Sequence, residues 1–544
     1  MLQKLMESCP AFGQVKAALE KRITRPVYAA GLTGAGRALL VSALSQEEDA
    51  PLLFLTPDEA SASKMTEDLS GLVGTDKVAL YPIKDFQFRK TEGASADYEQ
   101  RRLAVLGKLL DGSLKIVVCS VEAAFQYTVP PGIYRANTFT LHRGDTADIT
   151  ALSEKFSRAG YERRTEVDGP CQYSVRGGIL DFYSPQAAFP VRLEFWGDEI
   201  DSVAAFDLES QRRTKELSEA EIAPAKEVLP DSAAVLKKLL LEAREKLRGK
   251  QGVLAKAHIE ADIERLDAGL SVAAPDRYLP LVYRFPATLF DYMPDSVLAV
   301  SEFIKQKETL KALFTQESED IAQLFEEGLL FSGCDSFHLS TADYFTILSE
   351  EKTVLIDSFL RTTAEIPVRT VTDFASVTLS LWSGDLETLL DDLKDYMARG
   401  YTAAVFCGTE KAAHALATDL INNGINAAFA EDARIVPKTT FVLEGNLSGG
   451  FDFPQAKFVI LSHGHAAFQS KKSTNSARRK IRSRAFPIFR PAITSSTSPT
   501  ASAFSRASSS RISAALSRTI SPSATPERTN STFPSPSLIS FPNI

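Results

Sequence analysis

Cysteine is scarce and scattered in this 544-residue chain: Cys9, Cys119, Cys171, Cys334 and Cys407 form no CxxC pair. That spacing argues against a disulfide framework and a zinc site, and it fits a reducing, cytoplasmic compartment. No apolar run approaches 18 residues, and no apolar stretch follows a basic start, so a protein neither exported nor membrane-spanning is expected. Only six His are present, and no Ser/His/Asp or Cys/His arrangement stands out. His463 and His465 sit two apart with no converging third ligand, which gives no metal site. Asp198 and Glu199 are adjacent on a strand-like run, point to opposite faces and read as a hairpin turn rather than an acid–base pair. Neither a catalytic residue nor a metal is expected.

Acids are almost absent from the end of the chain. From Ser470 onward twelve Lys or Arg face one acid, Glu527, so that segment carries about +11 and the preceding residues, with 49 basic and 68 acidic side chains, about −19. A body that acidic does not bind nucleic acid by bulk charge, and any such contact must come from a local patch or another part. After Gln469 the composition is Ser, Thr, Pro, Ala and Arg without apolar periodicity, the mark of a disordered tail.

What is present is the alternation of a layered α/β protein. With 44% hydrophobic residues the chain supports two to four domains. Apolar runs at Pro51–Leu55, Val78–Tyr81 and Lys115–Cys119, separated by amphipathic segments, predict a parallel sheet over residues 1–125. Shorter strands at Val175–Tyr183 and Val191–Ile200 predict a small α+β insert over 126–215. The buried-strand pattern Leu289–Val300 suggests that the first domain resumes over 216–350. A further βαβ unit over 373–468 follows, with a helix around Asp385–Arg399, the strand Thr402–Cys407, a helix Glu410–Asn422 and the strand Lys457–Ser462.

Gly31, Gly34, Gly36 and Arg37 lie in GLTGAGRALL, between a strand and a helix, where a phosphate-binding loop would sit. Such a loop needs a Lys for the terminal phosphates and a hydroxyl for magnesium, and here Arg37 and Ala38 occupy those places. The acid pair expected at the end of Val297–Val300 is replaced by Ser301 and Glu302. Two missing parts indicate a degenerate P-loop nucleotidase-like domain without a bound cofactor. In the insert, Arg163, Arg164, Arg176 and Arg192 lie beside Phe182, Tyr183, Phe195 and Trp196. Arg with aromatic anchors is the composition of a protein–protein hot spot, although alternate strand positions must also fill a core.

VRGGILDFYSP (Val175–Pro185) followed by PVRLEFWGDEIDSVAAFDLESQR (Pro190–Arg212) resembles the module of bacterial transcription-repair coupling factors that is homologous to the excinuclease B protein, UvrB. DRYLPLVY (Asp276–Tyr283), ATLFDYMPD (Ala287–Asp295) and LEGNLSGGFDFP (Leu443–Pro454) resemble the same family in matching order, so the likeness covers about residues 1–468. It implies that the insert docks onto the excinuclease A protein, UvrA, in transcription-coupled nucleotide excision repair. That role falls on Arg176, Arg192 and Glu194, with Phe195 in the same motif, and less directly on Arg163 and Tyr183. It also implies a first module without nucleotide hydrolysis. Full-length members continue into a polymerase-binding domain and a motor that uses ATP and magnesium, acting on RNA polymerase and DNA.

Neither continuation is legible after Gln469. Back-translation of Phe486–Arg506, read one nucleotide earlier, permits PDFSPGDYVVHVSHGIGVFEG, and Thr529–Ile544 permits DKLYVPVTQLDLVSKY; both resemble the family's polymerase-binding domain. The expectation is a one-base frame error near Ser470–Ser476, with 469–544 out of frame and the motor absent. The alternatives are a true basic arm and, for function, an active ATP-dependent repair enzyme resembling UvrB.

Overall fold

The computed structural model describes residues 2–20, 25–89, 97–350, 352–361, 366–382, 385–429 and 438–463. His465 and the expected tail lie outside the described residues.

A seven-stranded, wholly parallel sheet runs in the order Thr370–Asp373, Val27–Ala30, Lys352–Ile356, Val297–Ser301, Leu52–Thr56, Ile116–Ser120, Val78–Tyr81. Its central strands are near-continuous apolar runs because helices cover both faces. Leu52 and Phe54 enter one core while Leu53 and Leu55 enter the other. Helix starts are set by caps: Asp58 accepts from the Ser61 N–H at 2.8 Å, and Ser120 caps Val121–Phe125 through Ala123. The strand Val297–Ser301, which follows the insert in sequence, sits in the middle of this sheet.

The insert has its own core around Phe156, Tyr173, Phe182, Leu193 and Ile200. Its main sheet runs Arg213–Leu217, Glu199–Phe206, Val191–Trp196, Ile179–Phe182, Gln172–Arg176, Glu162–Arg163, antiparallel except for the last pair. Glu219–Ile222 then pairs with Phe139–His142, so the insert's sheets extend from Phe139 to Ile222, past the boundary at 215 read from sequence. The sequence of that strand, EAEI, is too short and too acidic to announce itself. Where the chain leaves the insert, a buried charge cluster anchors it: Lys84 reaches Asp276 at 2.8 Å and Glu99 at 3.1 Å, and Arg102 reaches Glu227 at 2.6 Å.

The third sheet runs Val377–Leu379, Gly450–Phe453, Phe458–Ser462, Thr402–Phe406, Thr440–Leu443, Ala427–Phe429. Ala403 and Val405 face its own helices, whereas Ala404 and Phe406 join the core of the first domain. Asp68, buried on the helix Glu59–Val73, accepts hydrogen bonds from the Ser448 N–H at 2.6 Å and hydroxyl at 2.7 Å. First and third domains therefore share one core. No described helix is long and apolar enough to cross a membrane.

Candidate functional site

The insert's main sheet has two unlike faces. Tyr173, Leu180, Phe182, Leu193 and Phe195 fill the core, and the alternate positions form an outer face. Register places Ser174 beside Asp181, Asp181 beside Arg192, and Arg192 beside Ala204, while Glu194 lies between Ile179 and Ser202. Asp181 is wholly buried. It takes hydrogen bonds from Arg192 Nε at 2.7 Å and Nη2 at 2.8 Å, and from Arg176 Nη2 at 2.6 Å. Arg192 is fixed further by the Gln211 carbonyl at 3.0 Å and by the Phe206 ring, 4.8 Å away. The bond to Asp181 raises the Arg192 pKa above its ordinary value. Glu194 accepts from Ser202 and Arg213.

Two glycines make this face possible. Gly177 holds φ +60, and a Cβ on Gly178 would come within 3.1 Å of the Phe195 carbonyl, whose own N–H donates to the Gly178 carbonyl at 2.8 Å. The RGG turn thus brings Arg176 back over Asp181. At the next hairpin tip the turn is Gly197–Asp198 rather than Asp198–Glu199, because Glu199 pairs with Trp196 as the first residue of the next strand; Trp196 beside it is 84% exposed.

Of the residues singled out from sequence, Arg176, Arg192 and Glu194 share the outer face. Phe195 is on the opposite face, packed against the insert core. Tyr183 is half-buried one residue beyond Phe182, and Arg163 is exposed on the short edge strand Glu162–Arg163; neither joins the Asp181 cluster. Sequence reading missed Asp181, whose signal was an acid in the middle of an apolar strand, GILDF. It also grouped Trp196 with Phe182, Tyr183 and Phe195 as anchors, although Trp196 directly follows Phe195 on the strand and so falls on the other face.

The phosphate-loop region is occupied by the chain's own groups. Gly34 takes φ +45 and ψ −126, open essentially to glycine, and starts the helix Ala35–Glu47. Arg37 is buried, donating to the Leu32 carbonyl at 3.1 Å, the Glu302 carboxylate at 3.0 Å and the Ser358 hydroxyl at 2.8 Å. Glu302, which stands where the second acid of the pair was expected, is its ion-pair partner. The Gly36 and Arg37 N–H groups bond inward to Thr33 and Gly34. Ser376 donates to the Gly31 carbonyl from both its N–H and its hydroxyl, and Thr33 contacts Thr378. Among the described residues no His/Cys/Asp/Glu group has the arrangement of a metal site; His463 instead makes an edge contact with Trp382.

Residues 139–228, which carry the Asp181 cluster, match the model of the UvrB interaction domain family. Curated relatives extend the likeness over most of the chain. The chain is similar to transcription-repair-coupling factors. That of Bacillus subtilis (strain 168) is 27% identical over 463 residues, covering 83% of this chain and 39% of its own length. The Staphylococcus aureus (strain MRSA252) factor is 25% identical, covering 84% of this chain and 39% of its own. That of Staphylococcus epidermidis (strain RP62A) is 24% identical, at 85% and 40%. The chain therefore spans about two fifths of the length of these coupling factors. A solved structure of S. cerevisiae dbp5 l327v bound to nup159, gle1 h337r, ip6 and adp aligns at 8% identity over 80% of this chain and 76% of that one, at a TM-score of 0.17, too low to bear on the fold.

Proposed function

We propose that this chain acts in transcription-coupled nucleotide excision repair as the docking part of a transcription-repair-coupling factor, and that the insert's outer face engages the excinuclease A protein, UvrA. The observation that carries this reading is the Asp181 cluster: a buried carboxylate holds Arg176 and Arg192 in fixed positions on a sheet face, with an exposed Trp at its rim. Fixed cations and an aromatic anchor are what a protein interface uses for orientation and affinity. Arg176→Glu should weaken UvrA binding by about 2–4 kcal/mol, and unchanged affinity would remove the assignment.

In this proposal the first domain is a scaffold and does not turn over nucleotide. Arg37 is committed to Leu32, Glu302 and Ser358, and Ala38 supplies no magnesium ligand. In this reading, ATP- and magnesium-dependent translocation and displacement of RNA polymerase are the work of the further domains that the family resemblance implies for full-length members. Magnesium-dependent ATP turnover abolished by Arg37→Ala would replace this reading with that of an active repair ATPase. The proposed frame error near Ser470–Ser476 is tested on the coding DNA, where stop codons throughout the alternate frame would end it.

A further inference from the structure

We infer that the closed end of the helical hairpin Ala233–Lys246 and Gly249–Asp267 is a contact surface for the phosphate backbone of duplex DNA. The hairpin is built on an apolar seam, with Leu236, Leu240, Ala255 and Ile259 buried between its helices and the underlying chain. Its outer positions are strongly biased in charge. Between residues 237 and 256 there are seven Lys or Arg and two Glu, a local +5 in a body near −19.

Several of these cations are held by no carboxylate. Of the seven, Lys237, at the open end, is paired with Asp267, and Arg244, in the last turn of the first helix, is paired with Glu260. Lys238, Lys246, Lys250 and Lys256 have no ion-pair partner among the described residues, and Arg248 bonds only the carbonyls of Glu245 and Leu247. Lys246, Arg248 and Lys250 are exposed and crowd the turn between the helices. Unpaired cations so close together repel one another, and a polyanion relieves that repulsion while releasing its own counterions. From Lys238 to Lys246 the helix rises about 12 Å, a length over which a duplex presents about seven phosphate charges.

Composition selects the ligand. Residues 232–274 contain no Phe, Trp or Tyr. Single-stranded nucleic acid is held by stacking bases on aromatic rings, and protein hot spots are built on aromatic anchors; neither is available on this hairpin. Flexible lysines without an aromatic platform suit the regular, sequence-independent charge of duplex DNA.

The test is fluorescence anisotropy of a labelled duplex of about 30 base pairs with the whole chain, comparing wild type with Lys246→Gln/Arg248→Gln/Lys250→Gln at several salt concentrations. The basic C-terminal residues are present in both proteins and cancel in the comparison. Loss of three phosphate contacts should lower the slope of log affinity against log salt by about 2.7, and the milder Lys238→Gln/Lys256→Gln pair should lower it by less than about 2. Lys238, Lys246, Arg248 and Lys250 are exposed and Lys256 is partly so, and thermal melting should therefore be unchanged. An unaltered slope, or no duplex binding by wild type at about 50 mM salt, overturns the inference. Displacement of the duplex by polyglutamate at equal charge concentration, or tighter binding of single strands with the same variant dependence, overturns the choice of duplex DNA.

Discussion

Asp181→Asn keeps the shape of the side chain at the centre of the insert's outer face and removes its charge. Asp181 is wholly buried, and the Arg192 side chain is 12% exposed, so the charge left behind on Arg192 is poorly hydrated. Removing one partner of a buried ion pair costs about 3–5 kcal/mol. Arg192 keeps its bond to Gln211 and its place over Phe206, and the Asn carbonyl still accepts one bond, which brings the expected loss to about 2–3 kcal/mol. Arg176 is 42% exposed and should lose about 0–1 kcal/mol. The chain has several cores, so global unfolding is a poor gauge; amide hydrogen exchange of Ile179–Phe182 and Val191–Trp196 reads the local effect. Exchange there should quicken about 30- to 150-fold, with the strands of the seven-stranded sheet unaffected. UvrA binding should weaken as well, although Asp181 exposes no surface to touch a partner. In the double variant with Arg192→Met, most of the exchange penalty should disappear. Unchanged exchange in Asp181→Asn would refute the claim that this carboxylate organises the face.

Other consequences follow from the same geometry. Trp196→Ala should leave stability within about 0.5 kcal/mol and reduce UvrA affinity about tenfold or more, since the ring is exposed and supports no core. Arg37→Ala should destabilise the first domain by about 1–3 kcal/mol in thermal melts through loss of its buried bonds, without creating or abolishing nucleotide turnover. Burial alone would raise the Glu99 carboxyl, but the ammoniums of Lys84 and Lys226 and the Glu227 N–H outweigh it and hold the carboxyl at about 2. Its folded value lies below the ordinary 4.5, so its contribution is complete above about pH 4.5 and lost as pH falls toward 2. Asp276, pushed up by burial, acts in the opposite sense, so Glu99→Gln is the clean probe: it should flatten the acid limb of stability between those values.

Long apolar runs made the first and third sheets legible, because strands buried on both faces leave little room for polar residues. Ser301 and Glu302 were visible as a departure from a nucleotidase, yet the pairing of Glu302 with Arg37 spans 265 residues and has no local signature. Glu219–Ile222 is a strand only because Phe139–His142 offers it an edge. The sharing of one core by the first and third domains was hidden for a related reason: the apolar run Thr402–Phe406 shows that both faces are covered, but nothing nearby in sequence names the helices that Ala404 and Phe406 meet. In the insert, motif resemblance led to Arg176, Arg192 and Glu194, but side-chain direction separated Phe195 from Trp196, and hydrogen bonding brought in Asp181. A period of two in the sequence contained that division, once the register of one strand was known.

The most direct test of the docking account is calorimetric titration of the whole chain with purified UvrA, comparing wild type, Arg176→Glu, Trp196→Ala and the control Lys411→Glu, an exposed position on the helix Glu410–Asn422 of the third domain. The account predicts that wild type and Lys411→Glu bind alike while Arg176→Glu and Trp196→Ala each lose about tenfold or more in affinity. Equal affinity in all four proteins, or no binding by wild type, would contradict it.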